Sequence, residues 1–124
     1  MLGFQVVDLA GIPDEFSALV VVRLQLIGVN AAHHLHRRRF SIGHELAHVL
    51  LHHPPECRST ARAIRLCDCE ADLCASELLM PSFMVCRALD AGTHPDSLPL
   101  LFGVSREAMM HRLERLTDSS GPLR

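Results

Sequence analysis

The sequence predicts an α+β protein, on three observations. Aliphatic and β-branched residues concentrate before residue 30. Segments with helical period fill the remainder, each with its own stop signal. The two kinds of segment are not interleaved. Strands followed by helices build a small sheet and then a helical bundle, not the alternating units of a doubly wound parallel sheet.

Residues 4–9 read as a short strand, and Gly11, Ile12, Pro13 and Asp14 as a turn. Residues 18–29 are rich in Val, Leu and Ile, with Arg23 and Gln25 alternating against Leu24 and Leu26, and read as one or two strands. Residues 30–36 form a polar, histidine-rich connection, and Arg37, Arg38 and Arg39 a solvated run ahead of a helix. In that helix Phe40, Ile42, Leu46, Val49 and Leu50 stand at helical spacing. Ser41 is its expected N-cap, and Pro54 and Pro55 stop it after His53.

Residues 56–65 show no clear period. A second helix is expected over 67–80, closed by Pro81, and a third over 82–91, ending at Gly92. Residues 98–102, the turn Gly103-Val104-Ser105 and residues 106–116 read as a helical hairpin. Residues 119–122 read as a frayed tail.

At 124 residues, 48% of them hydrophobic, the chain is expected to form one folded domain over 1–124, with the 98–116 hairpin part of it. A formal charge of −2 gives no general attraction to nucleic acid or anionic lipid. The chain has no lysine, which rules out lysine chemistry. Met1-Leu2-Gly3-Phe4 carries no basic leader region, and no apolar run approaches a membrane span. A cytoplasmic protein with its five cysteines reduced is the expectation, and a membrane partner is not.

Most of the functional information lies in His44-Glu45-Leu46-Ala47-His48. Histidines four apart lie about 40° apart round a helix, so both imidazoles can bind one metal ion. The glutamate after the first histidine can hold and deprotonate a water on that ion. This is the H-E-x-x-H arrangement of zinc hydrolases, and it points to metal-assisted peptide hydrolysis with Zn²⁺ as cofactor. A catalytic zinc needs a third protein ligand from another element. The carboxylates of the 67–80 helix supply it. Glu70 stands out, because Leu73, Cys74 and Glu77 share its face and a metal would partner its charge. On spacing alone Asp68, Glu70, Asp72 and Glu77 are near equals. Glu77 lies about 10 Å along the helix from Glu70, too far to share its ion. Asp72 lies about 200° round from Glu70, where it can orient a histidine.

Phe40-Ser41-Ile42-Gly43-His44-Glu45-Leu46-Ala47-His48 with Leu51-His52, followed by Glu70-Ala71-Asp72 and Ala75 through Leu78-Leu79-Met80-Pro81, resembles the ImmA/IrrE family of metallopeptidases. Ile27-Gly28-Val29-Asn30 before the helix, and Phe102-Gly103-Val104-Ser105 with Ala108, Arg112 and Leu113 after it, extend the likeness to roughly residues 17–116. The chain departs from the family pattern at Asp72 (usually Asn), Cys74 (usually Phe), Gly43 (usually Ala) and Ala47 (usually Gly). The resemblance implies a minimal zincin-like domain, with zinc held by His44, His48 and Glu70 and with Glu45 as general base. It also implies a bacterial, cytoplasmic protein that cleaves a helix-turn-helix transcriptional repressor, controlling a mobile element or a stress response.

A tetrahedral oxyanion needs a donor besides the metal. With no tyrosine in the chain, that role falls to His33, His34, His36, His111 or an arginine, or to no residue at all. His52 and His53 read as helix-end residues, favourable there when protonated. With five Phe and no Trp there is little to build a deep pocket. An extended protein segment is therefore expected to pair with the edge of the strand at 24–29. Two other readings remain. One is a catalytically weak zinc-binding or DNA-binding regulator that uses Arg106, Arg112 and Arg115 of the hairpin. The near-neutral charge speaks against direct nucleic-acid binding. The other is structural zinc on Cys67, Cys69 and Cys74, where the Cys67-x-Cys69 spacing is tighter than a usual knuckle.

Overall fold

A computed structural model describes residues 3–53 and 59–120 of the chain. A three-stranded sheet comes first: β1 (Gln5–Leu9), β2 (Ala18–Val21) and β3 (Leu26–Asn30). Helices follow: α1 (Leu35–Leu50), α2 (Ala61–Leu79), α3 (Ser82–Asp90), α4 (Leu98–Phe102) and α5 (Arg106–Ser120). The class is α+β, as the sequence predicts. The backbone divides into two compact units, Met1–Ala75 and Ser76–Arg124, and α2 runs from one into the other.

In the first unit the strand order is β1-β3-β2. β3 pairs parallel with β1, from Gln5↔Leu26 to Leu9↔Asn30, and antiparallel with β2, from Ala18↔Val29 to Val21↔Leu26. The segment expected to offer a free edge is therefore the centre of the sheet, and the edges are β1 and β2. Burial agrees with the central place: Ile27, Gly28, Val29 and Asn30 are all buried, a continuous run and not an alternation. A Cβ on Gly28 would stand 2.8 Å from Leu9 Cδ1, so glycine is what lets Leu9 lie over β3. β2 and β3 are joined by a 3₁₀ turn at Val22–Leu24 that ends on Gln25, at φ 53° in the left-handed region. Glycine or asparagine is usual there, so the turn carries no sequence signal.

Asn30 ends β3 and fastens the loop between β1 and β2. Its Nδ2 donates to Pro13 O (3.1 Å) and Phe16 O (2.9 Å), and its Oδ1 accepts from Ala32 N (3.0 Å). α1 then starts six residues before Ser41. His34 is its N-cap, with Nδ1 accepting from His36 N at 3.2 Å. A ring nitrogen does what a Ser or Asp oxygen usually does. The arginine run is thus helical and does not precede the helix. Arg38 donates to Asp8 Oδ1 of β1 at 2.7 Å, and Arg37 reaches Asp14 O at 3.4 Å. α1 packs on β2 and β3.

α1 also ends earlier than expected. His52 N bonds to Val49 O (3.1 Å) and His53 N to His48 O (3.0 Å), with His52 in the left-handed region at φ 56°. This is a Schellman ending with a non-glycine at its left-handed position. Pro54 and Pro55 lie outside the described residues. α2 begins at Ala61, within a stretch that has no clear period, where Thr60 Oγ1 accepts from Ala63 N at 3.0 Å.

The second unit has its own core of Met80, Val85, Leu98, Val104, Met109 and Leu116. Gly103 closes α4 at φ 67°, and Ser105 Oγ accepts from Ala108 N (3.0 Å) to start α5. Arg112 is buried. Its Nε donates to Met80 O at 2.9 Å and its guanidinium pairs with Glu77, whose other oxygen accepts from Ser82 N at 3.1 Å. Arg115 donates to Ser76 Oγ at 2.7 Å. Two of the three arginines considered for a DNA-reading surface are thus committed within the protein. Among the described residues no helix is long and apolar enough to cross a membrane.

Candidate metal centre

The helical repeat of α1 brings His44 Nε2 and His48 Nε2 to 3.1 Å from each other. Asp68 of α2 presents Oδ1 at 3.4 Å from the first and 3.3 Å from the second. Three ligand atoms thus form a near-equilateral triangle. Ligands held tetrahedrally at about 2.0–2.2 Å from one zinc ion lie about 3.3–3.5 Å apart, so the set fits such an ion. A carboxylate and two imidazoles are also the donors that zinc takes.

The remaining ring nitrogens are held from behind. Asp72, one turn after Asp68, places Oδ1 2.7 Å from His44 Nδ1. That hydrogen bond is the main reason the His44 pKa is raised above the usual histidine value. Burial works against it, and the charges of Asp72, Glu45 and Asp68 add to it. His48 Nδ1 lies 2.8 Å from His53 Nδ1, and His53 Nε2 lies 2.8 Å from Glu70 Oε1. Glu45 follows His44 and is buried.

Of the residues singled out by sequence, the structure brings His44, His48 and Asp72 together, with Glu45 adjoining. Glu70 is placed on His53, with its side chain 64% exposed, and Asp68 occupies the position facing both Nε2 atoms. Sequence reasoning held Asp68 as one carboxylate among four and gave His53 no role at the site. A signal for Asp68 was present: Asp68 and Asp72 repeat on α2 the four-residue spacing of His44 and His48 on α1. A second group, His53, Cys67 and Glu70, also gathers its ligand atoms within 4.8 Å. It takes only one of the three cysteines considered for structural zinc.

The histidines named as oxyanion donors are engaged elsewhere. His33 is buried and donates from Nε2 to Asp14 O at 2.7 Å. His34 caps α1, with His36 edge-on to its ring. His111 lies 3.7 Å from both Glu107 and Glu114.

Two histidines and a carboxylate from a second helix, with a glutamate beside the first histidine, define the class of H-E-x-x-H metallopeptidases. A family model described as the IrrE N-terminal-like domain, peptidase family M78, matches residues 10–114, and the chain belongs to that family. No curated protein matches it at a significant level.

Proposed function

We propose that this chain is a zinc-dependent endopeptidase acting on a protein in the cytoplasm. The expected substrate is a helix-turn-helix transcriptional repressor of a mobile element or stress response. The single observation that carries the reading is the convergence of His44 Nε2, His48 Nε2 and Asp68 Oδ1 beside Glu45. In this reading those three hold the ion, and Asp72 orients His44.

Bound there, zinc supplies Lewis-acid polarisation of a carbonyl and activation of water near neutral pH. The chain supplies the rest. Glu45 accepts the proton of the attacking water and delivers it to the leaving amine. Asp72 keeps a hydrogen on His44 Nδ1, which leaves the Nε2 lone pair directed inward. An extended segment pairs with the outer edge of β2, the edge strand on which α1 packs. The burial of Arg112 favours this reading over a DNA-binding module.

The test is incubation of the zinc-loaded protein with helix-turn-helix repressors from the same genome, any neighbouring one first, beside a Glu45→Gln control. Cleavage at a defined bond that requires Glu45 supports the proposal. Unselective digestion of casein with the repressors left intact sinks it.

A further inference from the structure

We propose that His53 and Glu70 form an orienting relay for His48, and that this relay sets the tautomer with which His48 meets the metal. The proposal rests on the reading of His44, His48 and Asp68 as ligands.

The argument is one of hydrogen counting. A neutral imidazole carries one N–H, and a ligating nitrogen carries none. If Nε2 of His48 ligates, its hydrogen is on Nδ1. The 2.8 Å contact between His48 Nδ1 and His53 Nδ1 has room for one hydrogen, so His53 Nδ1 is the acceptor. The hydrogen of His53 is then on Nε2, which faces Glu70 Oε1 at 2.8 Å, an oxygen that only accepts. Every nitrogen in the chain Glu70–His53–His48 has one assignment, and each agrees with its neighbour.

The backbone builds the same contact. The Schellman ending bonds His53 N to His48 O at 3.0 Å, so the helix terminus folds His53 back over the turn that carries His48. Each ligating imidazole thereby has a carboxylate behind it. Asp72 serves His44 directly, and Glu70 serves His48 through one intervening ring.

The same counting decides against a second ion on His53, Cys67 and Glu70. An ion on His53 Nε2 would move the hydrogen of that ring to Nδ1, where it would meet the Nδ1–H of His48 across 2.8 Å. With neutral rings the two clusters cannot both be filled in this geometry.

The experiment titrates the full chain with Zn²⁺ against a chelator and with Co²⁺ by visible spectroscopy, and reads ring tautomers by ¹⁵N NMR of the zinc form. Wild type should bind one equivalent, with hydrogens on His48 Nδ1 and His53 Nε2. Glu70→Ala should weaken zinc about 10- to 100-fold, the usual cost of losing a group that orients a ligand. The stoichiometry and the cobalt bands should not change. Glu70→Gln, whose amide oxygen still accepts, should recover part of the loss. Adding His53→Gln to Glu70→Ala should cost little more, since one relay is already broken.

Affinity within twofold of wild type in Glu70→Ala overturns the relay. So does a shifted cobalt spectrum, which would make Glu70 a ligand. Two equivalents falling to one in Cys67→Ser would overturn it in favour of a second site. A hydrogen on His53 Nδ1 in the wild-type zinc form overturns it even if no variant folds. A wild type that binds no metal sinks the underlying reading, and is distinct from all of these.

Discussion

Asp68 and Asp72 stand one helical turn apart on α2 and address opposite nitrogens of one imidazole. Asp68 Oδ1 lies 3.4 Å from His44 Nε2, and Asp72 Oδ1 lies 2.7 Å from His44 Nδ1. One of the two carboxylates completes the triangle with His44 Nε2 and His48 Nε2, and the other stands behind His44.

That division predicts unequal losses. If the proposed ligand set is right, Asp68→Ala removes a ligand and should cost more zinc affinity than the about 10- to 100-fold expected of Asp72→Asn, which removes an orienting group. Metal content after dialysis, followed by chelator competition, measures both. Equal losses would contradict the assignment.

Glu45→Gln should keep zinc and fold but lose hydrolysis by about 10²- to 10⁴-fold, since the amide cannot take the proton of water. Zinc content and circular dichroism check the first part, and cleavage of a protein substrate the second. Equal turnover by both proteins would remove Glu45 from the mechanism.

The hydrogen bond from His44 to Asp72 raises the His44 pKa in the metal-free protein. A raised folded-state pKa means that the folded chain holds that proton more tightly than the unfolded chain does. The resulting stabilisation is full below the unfolded value of about 6.5, and is lost as pH rises through the folded value. Metal binding runs the other way and strengthens as the proton leaves. Thermal unfolding of chelator-treated wild type and Asp72→Asn should therefore differ most at low pH and converge at high pH. A gap that widens with rising pH would refute the argument.

In the second unit, Arg112→Ala should destabilise by about 1–3 kcal/mol, because it leaves the buried Met80 carbonyl without its donor. Glu77 is 53% exposed, so water compensates its side of the pair and adds little. Urea unfolding measures the shift. A change below about 0.5 kcal/mol would mean that water replaces the guanidinium at Met80.

Where periodicity and punctuation agree, the sequence is legible. The start of α3 after Pro81, with Gly92 beyond its end, and the α4–Gly103–α5 hairpin read directly, because Pro81, Gly103 and Ser105 stand where backbone geometry needs them. The position of β3 between β1 and β2 does not read, because pairing order is decided by burial across the sheet and not by local pattern. The start of α1 is hidden because a histidine does the capping. Choosing Asp68 or Glu70 needs the rotation of α2 about its axis. Residues two apart lie about 200° round a helix, and spacing does not say which of them faces α1. His53 is invisible for a related reason: a left-handed residue at His52, of a type that does not advertise that conformation, carries it back to His48.

The strand order has a consequence for the sequence of assembly. β2 and β3 are joined by four residues and can zip together locally, whereas Gln5 of β1 must find Leu26 across the length of that hairpin. β1 is exposed along most of its length, and α1 rests on β2 and β3. β1, held to α1 by Arg38 on Asp8, is therefore expected to join last and open first. Amide hydrogens of β1 should exchange ahead of those in the β2–β3 pairing, and that opening leaves the platform under His44 and His48 closed.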